Sequence, residues 1–217
     1  MAPQADAARR PRAGAPQLRL IRPSRRPSRS SPSQPGIPNA VIGILVFLGA
    51  ETMLFAGLVS AYIVLRAGTV AWPPPDQPRL PTAVTAVNTL ILLCSGWTMW
   101  RAQRAVRGDA VADLRRWLAV TAGLGGVFLV VQGSEWVRLL RYGLTVASGI
   151  YGGTFYALIG CHGLHVLGGL VVLLAVLRGA VHGRYTARNH GAVTASQLYW
   201  LFVVGVWPVL YVLLYLA

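Results

Sequence analysis

Five stretches of the chain are almost wholly apolar, and polar residues gather in the intervals between them. They run from about Ala40 to Leu65, Thr82 to Trp100, Trp117 to Leu140, Gly149 to Leu177 and Ser196 to Leu216. Each is about 19 to 29 residues long, and a helix needs roughly 20 residues to cross a hydrocarbon core. The pattern predicts an all-α fold, a polytopic bundle of five transmembrane helices over residues 39–217. Ala71-Trp72-Pro73-Pro74-Pro75-Asp76 falls in the first link and cannot be helical, because proline removes donors and clashes with the preceding turn. The run from Arg101 to Arg116 is expected to be the second link.

Residues 1–38 have a different character, rich in Arg, Pro, Ser and Ala with Asp6 as their one acid. Such a segment buries too little apolar surface to offset its ordering entropy. It is expected to be a disordered basic tail on an anionic membrane face. An organellar transit peptide has a similar composition, but the prolines oppose the amphipathic helix it requires. Arg25-Arg26 is a twin arginine with no apolar region close behind it, which argues against an export signal.

Charge then orients the bundle. Of the 217 residues only 12% are charged, about half the share of a soluble domain. The net charge is +14, and all twenty basic residues are arginine. A nucleic-acid partner is not expected, because the arginines sit in the tail and at the ends of apolar runs rather than on one face. Counted along the tail, the four links and the C-terminus, they number 8, 2, 5, 2, 3 and 0. The positive-inside rule places the N-terminus in the cytoplasm and the C-terminus outside, as an odd number of spans requires. Lipid provides no hydrophobic drive between helices, so small residues must supply packing faces. Candidates are Gly57 and Ala61, then Gly125, Gly126 and Gly133, then Gly160, Gly163, Gly168 and Gly169. Pro208 should bend the last helix. Most of the seven tryptophans lie near run ends and suit an aromatic belt. Paired repeats or broken helices of the kind transporters use are not evident.

Two acids lie within the apolar runs, Glu51 and Glu135. A charge near the middle of a span costs about 3 kcal/mol, so Glu51 is expected to be neutral, paired or in a hydrated cleft. Glu135, near Arg138, is expected to form an interfacial ion pair. His162 and His165, three apart on the fourth run, share a helix face. A metal or haem would need further ligands, and the other histidines, His182 and His190, lie in a link. Interhelical hydrogen bonding by both rings is the expectation, with no redox centre, metal or catalytic residue in this chain. Cys94 and Cys161 lack CxxC spacing and read as small buried hydrophobes.

These residues carry a resemblance. Phe47 to Arg66 reads FLGAETMLFAGLVSAYIVLR, similar to the helix of haem-copper oxidase subunit III that bears a buried glutamate and a Ser-Ala-Tyr stretch. Asn88 to Ser95 (NTLILLCS), Gln132 to Gly143 (QGSEWVRLLRYG) and Tyr199 to Tyr211 (YWLFVVGVWPVLY) resemble other helices of that family. Gly153 to Gly168, GTFYALIGCHGLHVLG, matches its His-Gly-x-His helix and is the most specific piece. The resemblance spans residues 40–217. It implies a non-catalytic subunit of a cytochrome c or quinol oxidase in the bacterial inner (plasma) membrane. Haem and copper would be held by partner subunits, with subunit I, and subunit II too, as neighbours. It further implies that Glu51, Tyr62, Arg66, Glu135, His162 and His165 contact membrane lipid or other subunits. Departures occur where many members have a histidine and an aspartate in the last helix, here Leu201 and Val204, and a glutamate before it, here Thr194. The long form has two more N-terminal helices. The match is to five-helix members, which include an accessory protein of nitric oxide reductase, the alternative reading.

Overall fold

The computed structural model describes residues 39–74 and 80–216. The expected basic tail and the rest of the proline-rich link lie outside the described residues. Five helices follow in order: α1 (Asn39–Ala67), α2 (Thr82–Arg107), α3 (Val111–Arg141), α4 (Gly149–Val181) and α5 (Gly191–Tyr211). A π-helical turn, Val212–Leu216, continues α5. All five helices are long and apolar enough to cross a membrane, and the chain is an integral multi-pass membrane protein.

Helices α2, α3, α4 and α5 close a ring, each packing on the next, and α1 lies against α4 and α5. Inside the ring are Leu92, Met99, Leu114, Leu118, Phe128, Trp200 and Trp207, all essentially inaccessible. The glycines allow this packing selectively. A Cβ on Gly125 would sit 2.6 Å from the Trp200 ring, and one on Gly169 would lie 3.0 Å from Tyr199. Gly163 is similarly seated against Trp136. By contrast Gly57, Gly126, Gly133 and Gly160 meet nothing within 4 Å, and the expected Gly57/Ala61 face is exposed. Small residues alone therefore did not mark the contact faces; the indoles opposite them did.

Polar ties between helices run through the ring. The indole N–H groups of Trp200 and Trp207 donate to Ser95 (3.1 Å) and Thr89 (2.8 Å). Asn88 donates to the Phe128 carbonyl, and Thr98 pairs with Thr121. Gln103 donates to Thr194 at 2.8 Å. Trp200 and Trp207 are thus core anchors of α5 rather than belt residues, whereas Trp97 and Trp100 are exposed as a belt requires.

Three helices stop in the same way. After α3, Gly143 has φ 88°, and the amides of Gly143 and Leu144 reach back to Leu140 and Leu139. Gly183 does the same after α4, with φ 68°. After α2 the left-handed position is held by Asp109, φ 53°, with Ala110 bonded back to Ala105. This is the glycine cap of a helix C-terminus, with an aspartate in place of glycine. The expected link from Arg101 to Arg116 is therefore mostly helix, with Gly108–Ala110 as the turn. Arginine is a good helix former whose stem lies along apolar surface, so charge at a span's end does not end the helix.

Candidate functional site

At the middle of α1 the Glu51 carboxyl meets the His165 ring of α4, Oε2 to Nε2, at 2.7 Å. Both side chains are mostly buried, 14% and 16% exposed. The imidazole is fixed from its other side, with Nδ1 2.7 Å from the Cys161 carbonyl. A carbonyl only accepts, so Nδ1 carries a proton. The Nε2–Oε2 contact then holds one further proton, on either the carboxyl or the ring, and the pair is neutral as a unit in both forms. Pairing of this sort removes the cost that an isolated carboxylate meets at membrane depth. Tyr199 donates to the His165 carbonyl at 3.1 Å. Phe55, one turn below Glu51, stands edge-on to His165 with ring centres 5.1 Å apart.

His162 does not repeat the arrangement. Its ring is 1% exposed and packs among Trp207 (5.0 Å), Phe128 and Phe55 (6.3 Å each). Neither of its nitrogens bonds a described residue. The expectation of interhelical bonds from both histidines thus holds for His165 alone. Residues three apart differ by about 60° around a helix, enough to aim one ring at α1 and the other into the ring of helices. An apolar cavity of about 260 Å³ lies beside His162 between α3 and α4, lined also by Gln132, Trp136 and Gly163.

Glu135 pairs with Arg138, Oε1 to the guanidinium at 3.0 Å, as expected. The glutamate is more deeply buried than an interfacial pair implies, 5% exposed against 59% for the arginine, and its Oε2 bonds no described residue. One turn away, Gln132 donates to the Tyr215 hydroxyl at 3.3 Å. Tyr62, also buried, donates to the Leu213 carbonyl of the π-helical turn at 3.0 Å. Its ring lies 5.7 Å from that of Trp72, which meets Tyr151 at 5.0 Å. Tyr62 and Arg66 border a cavity of about 460 Å³ at the end of α1. The six residues singled out in the sequence are therefore not one site. Glu51 and His165 form a pair, Tyr62 and Arg66 flank one end, and Glu135 belongs to α3.

Among the described residues no group of three or more His, Cys, Asp or Glu side chains could hold a metal ion. Cys94 is exposed and Cys161 partly so, which corrects the expectation that both are buried. Of the departures noted above, Val204 fills space against Gly96, 3.2 Å from where a Cβ would stand, and Thr194 accepts from Gln103.

Most of the chain is similar to known proteins. The family model described as "Cytochrome c oxidase subunit III" matches residues 34–217. "Cytochrome c oxidase subunit 3" of Synechocystis sp. is 41% identical over 177 residues, covering 81% of this chain and 75% of that protein. The protein of the same name from Thermostichus vulcanus is 38% identical over 81% of this chain and 86% of its own. The "Probable cytochrome c oxidase subunit 3" of Mycobacterium leprae is 38% identical over 82% of this chain and 88% of its own.

Proposed function

The chain belongs to the cytochrome c oxidase subunit III family, and from that premise we propose that it seats against subunit I of a haem-copper oxidase, with subunit II nearby. It is subunit III of a haem-copper oxidase, one chain of a complex with other oxidase subunits. In this reading its own residues hold the fold and the contacts, while haem and copper stay in the partners. It stabilises the catalytic subunit and supports proton uptake, serving aerobic electron transport from cytochrome c, the donor in the names of the relatives. The observation that carries the reading is the mutual pairing of Glu51 with His165 and of Glu135 with Arg138. Both acids at membrane depth are thus engaged, Glu51 with His165 and Glu135 through one oxygen with Arg138, while His162 has no polar partner among the described residues.

Glu51, Tyr62, Arg66, Glu135, His162 and His165 are assigned to lipid or subunit contact; the arginine series supports a cytoplasmic N-terminus, and the family resemblance supports a bacterial inner membrane. Residues 1–38 are assigned to a separate basic tail ahead of the membrane domain. Nitric oxide reductase association, the alternative, is not favoured, since the matched family and the relatives above bear the oxidase name. Affinity purification of the tagged full chain from mild detergent tests the proposal. A haem-bearing subunit I should come with it, and deletion of the gene should lower oxygen consumption. Recovery of the chain alone, or loss of nitric oxide reduction with oxygen consumption intact, refutes it.

A further inference from the structure

At the end of the bundle where α2 turns into α3, three guanidinium groups rest on three indoles. Arg101 of α2 lies 5.4 Å from the centre of the Trp97 ring and 4.9 Å from that of Trp117 on α3. Those two indoles meet edge to face at 5.6 Å. Arg116 lies 5.8 Å from the same Trp117 ring, and Arg104 lies 4.6 Å from Trp100. The neighbouring Arg115 is occupied elsewhere, donating to the Ala180 carbonyl at 3.0 Å. We propose that Arg101, Arg104 and Arg116, held on Trp97, Trp100 and Trp117, form a binding site for the phosphate of an anionic phospholipid.

Four observations lead there. First, a guanidinium stacked on an indole keeps its N–H edge free, in the fork geometry that matches phosphate. Second, none of the three arginines is paired with an acid among the described residues. Asp113 precedes Arg116 by one turn without an ion pair, and Asp109 is turned to the Ala187 amide. Third, two like charges lie within 6 Å of one indole. Their repulsion is relieved by an anion between them. Fourth, the place is right for a lipid. Trp97 and Trp100 are exposed, as are Leu93 and Val120 beside them, so this surface faces acyl chains. The arginines on α2 follow one turn later, at the depth of headgroups, with the indoles as interfacial anchors. A zwitterionic lipid brings its own cation to the cluster, so an anionic headgroup is preferred.

The test uses the whole detergent-solubilised complex, stripped of lipid and titrated with phosphatidylglycerol or phosphatidylcholine under native mass spectrometry. The wild type should take one phosphatidylglycerol more tightly than any phosphatidylcholine. Arg101→Gln and Arg116→Gln, both at exposed positions, should each weaken that adduct about five-fold and leave phosphatidylcholine binding unchanged. Arg184→Gln with Arg188→Gln removes two charges at the same end, where Ala187 meets Asp109, and should do little. Trp117→Leu keeps every charge but removes the shared platform, and should weaken the adduct. Inorganic phosphate should displace nothing beyond chloride of equal ionic strength. The proposal falls if the wild type prefers neither lipid, a result that leaves the cluster to an acidic segment of a partner. It also falls if the Arg184/Arg188 pair matters as much, if Trp117→Leu binds as the wild type does, or if inorganic phosphate competes.

Discussion

The Glu51–His165 contact yields a prediction that separates a hydrogen-bonding role from a charged one. The two groups meet at 2.7 Å with both side chains largely buried. The other ring nitrogen is already committed to the Cys161 carbonyl. Glu51→Leu leaves the His165 Nε2 without a partner, which costs about 1–3 kcal/mol for an unsatisfied buried group. Interhelical bonds in membranes average less, about 0.6 and up to about 1.7 kcal/mol, so about 1–2 kcal/mol is expected. Glu51→Gln keeps a donor, since the amide N–H₂ can give a hydrogen bond to an unprotonated Nε2, and should cost under about 1 kcal/mol. The assay is reversible unfolding of the chain in mixed micelles, with retention of the partner subunits as a second readout. A double-mutant cycle with His165→Leu isolates the pair, with an expected coupling of about 1 kcal/mol. If the glutamine variant loses as much as the leucine variant, the carboxylate is required as a charge and the hydrogen-bond argument fails. If the leucine variant loses nothing, the contact has no energetic weight.

Two further outcomes follow from the packing. Gly125→Ala should destabilise by about 1–3 kcal/mol, since the new methyl would overlap the buried Trp200 ring. Gly126→Ala, where a Cβ meets nothing, should be neutral or slightly stabilising in the same unfolding assay; equal effects at both positions would remove the steric argument. Asp109→Ala should raise protease cleavage in the link around Ala187, because the substitution strains a left-handed position and removes the acceptor of the Ala187 amide. Asp109→Asn, which tolerates that backbone and keeps a carbonyl oxygen, should cut as the wild type does.

Hydropathy alone gave the number and order of the helices, because bilayer thickness imposes a length that the chain must meet. Helix ends were less legible. The last turns of α2 and the first of α3 carry the arginines that the sequence assigned to a link, while the actual stop is a backbone signal at Asp109 that resembles no glycine. The interior was the least legible part. Trp200 and Trp207 look like belt residues until Gly125 and Thr89 are found opposite them. Glu51 and His165 were both marked as polar groups at membrane depth, yet they stand 114 positions apart, and no local spacing could join them. His162, at the same helical spacing from which both rings were given partners, ends among aromatic rings instead.

The position of α1 sets a demand on biogenesis. It leaves the ribosome before α2 and α3, yet the helices it packs against are α4 and α5, which are made after them. Its polar clasps, Glu51 to His165 and Tyr62 to Leu213, close only when α4 and then the turn after α5 arrive. Throughout synthesis of the intervening segments a bare carboxyl waits in the bilayer without its imidazole. That interval is when an insertase or a membrane protease has its opening, and a slow ribosome lengthens it.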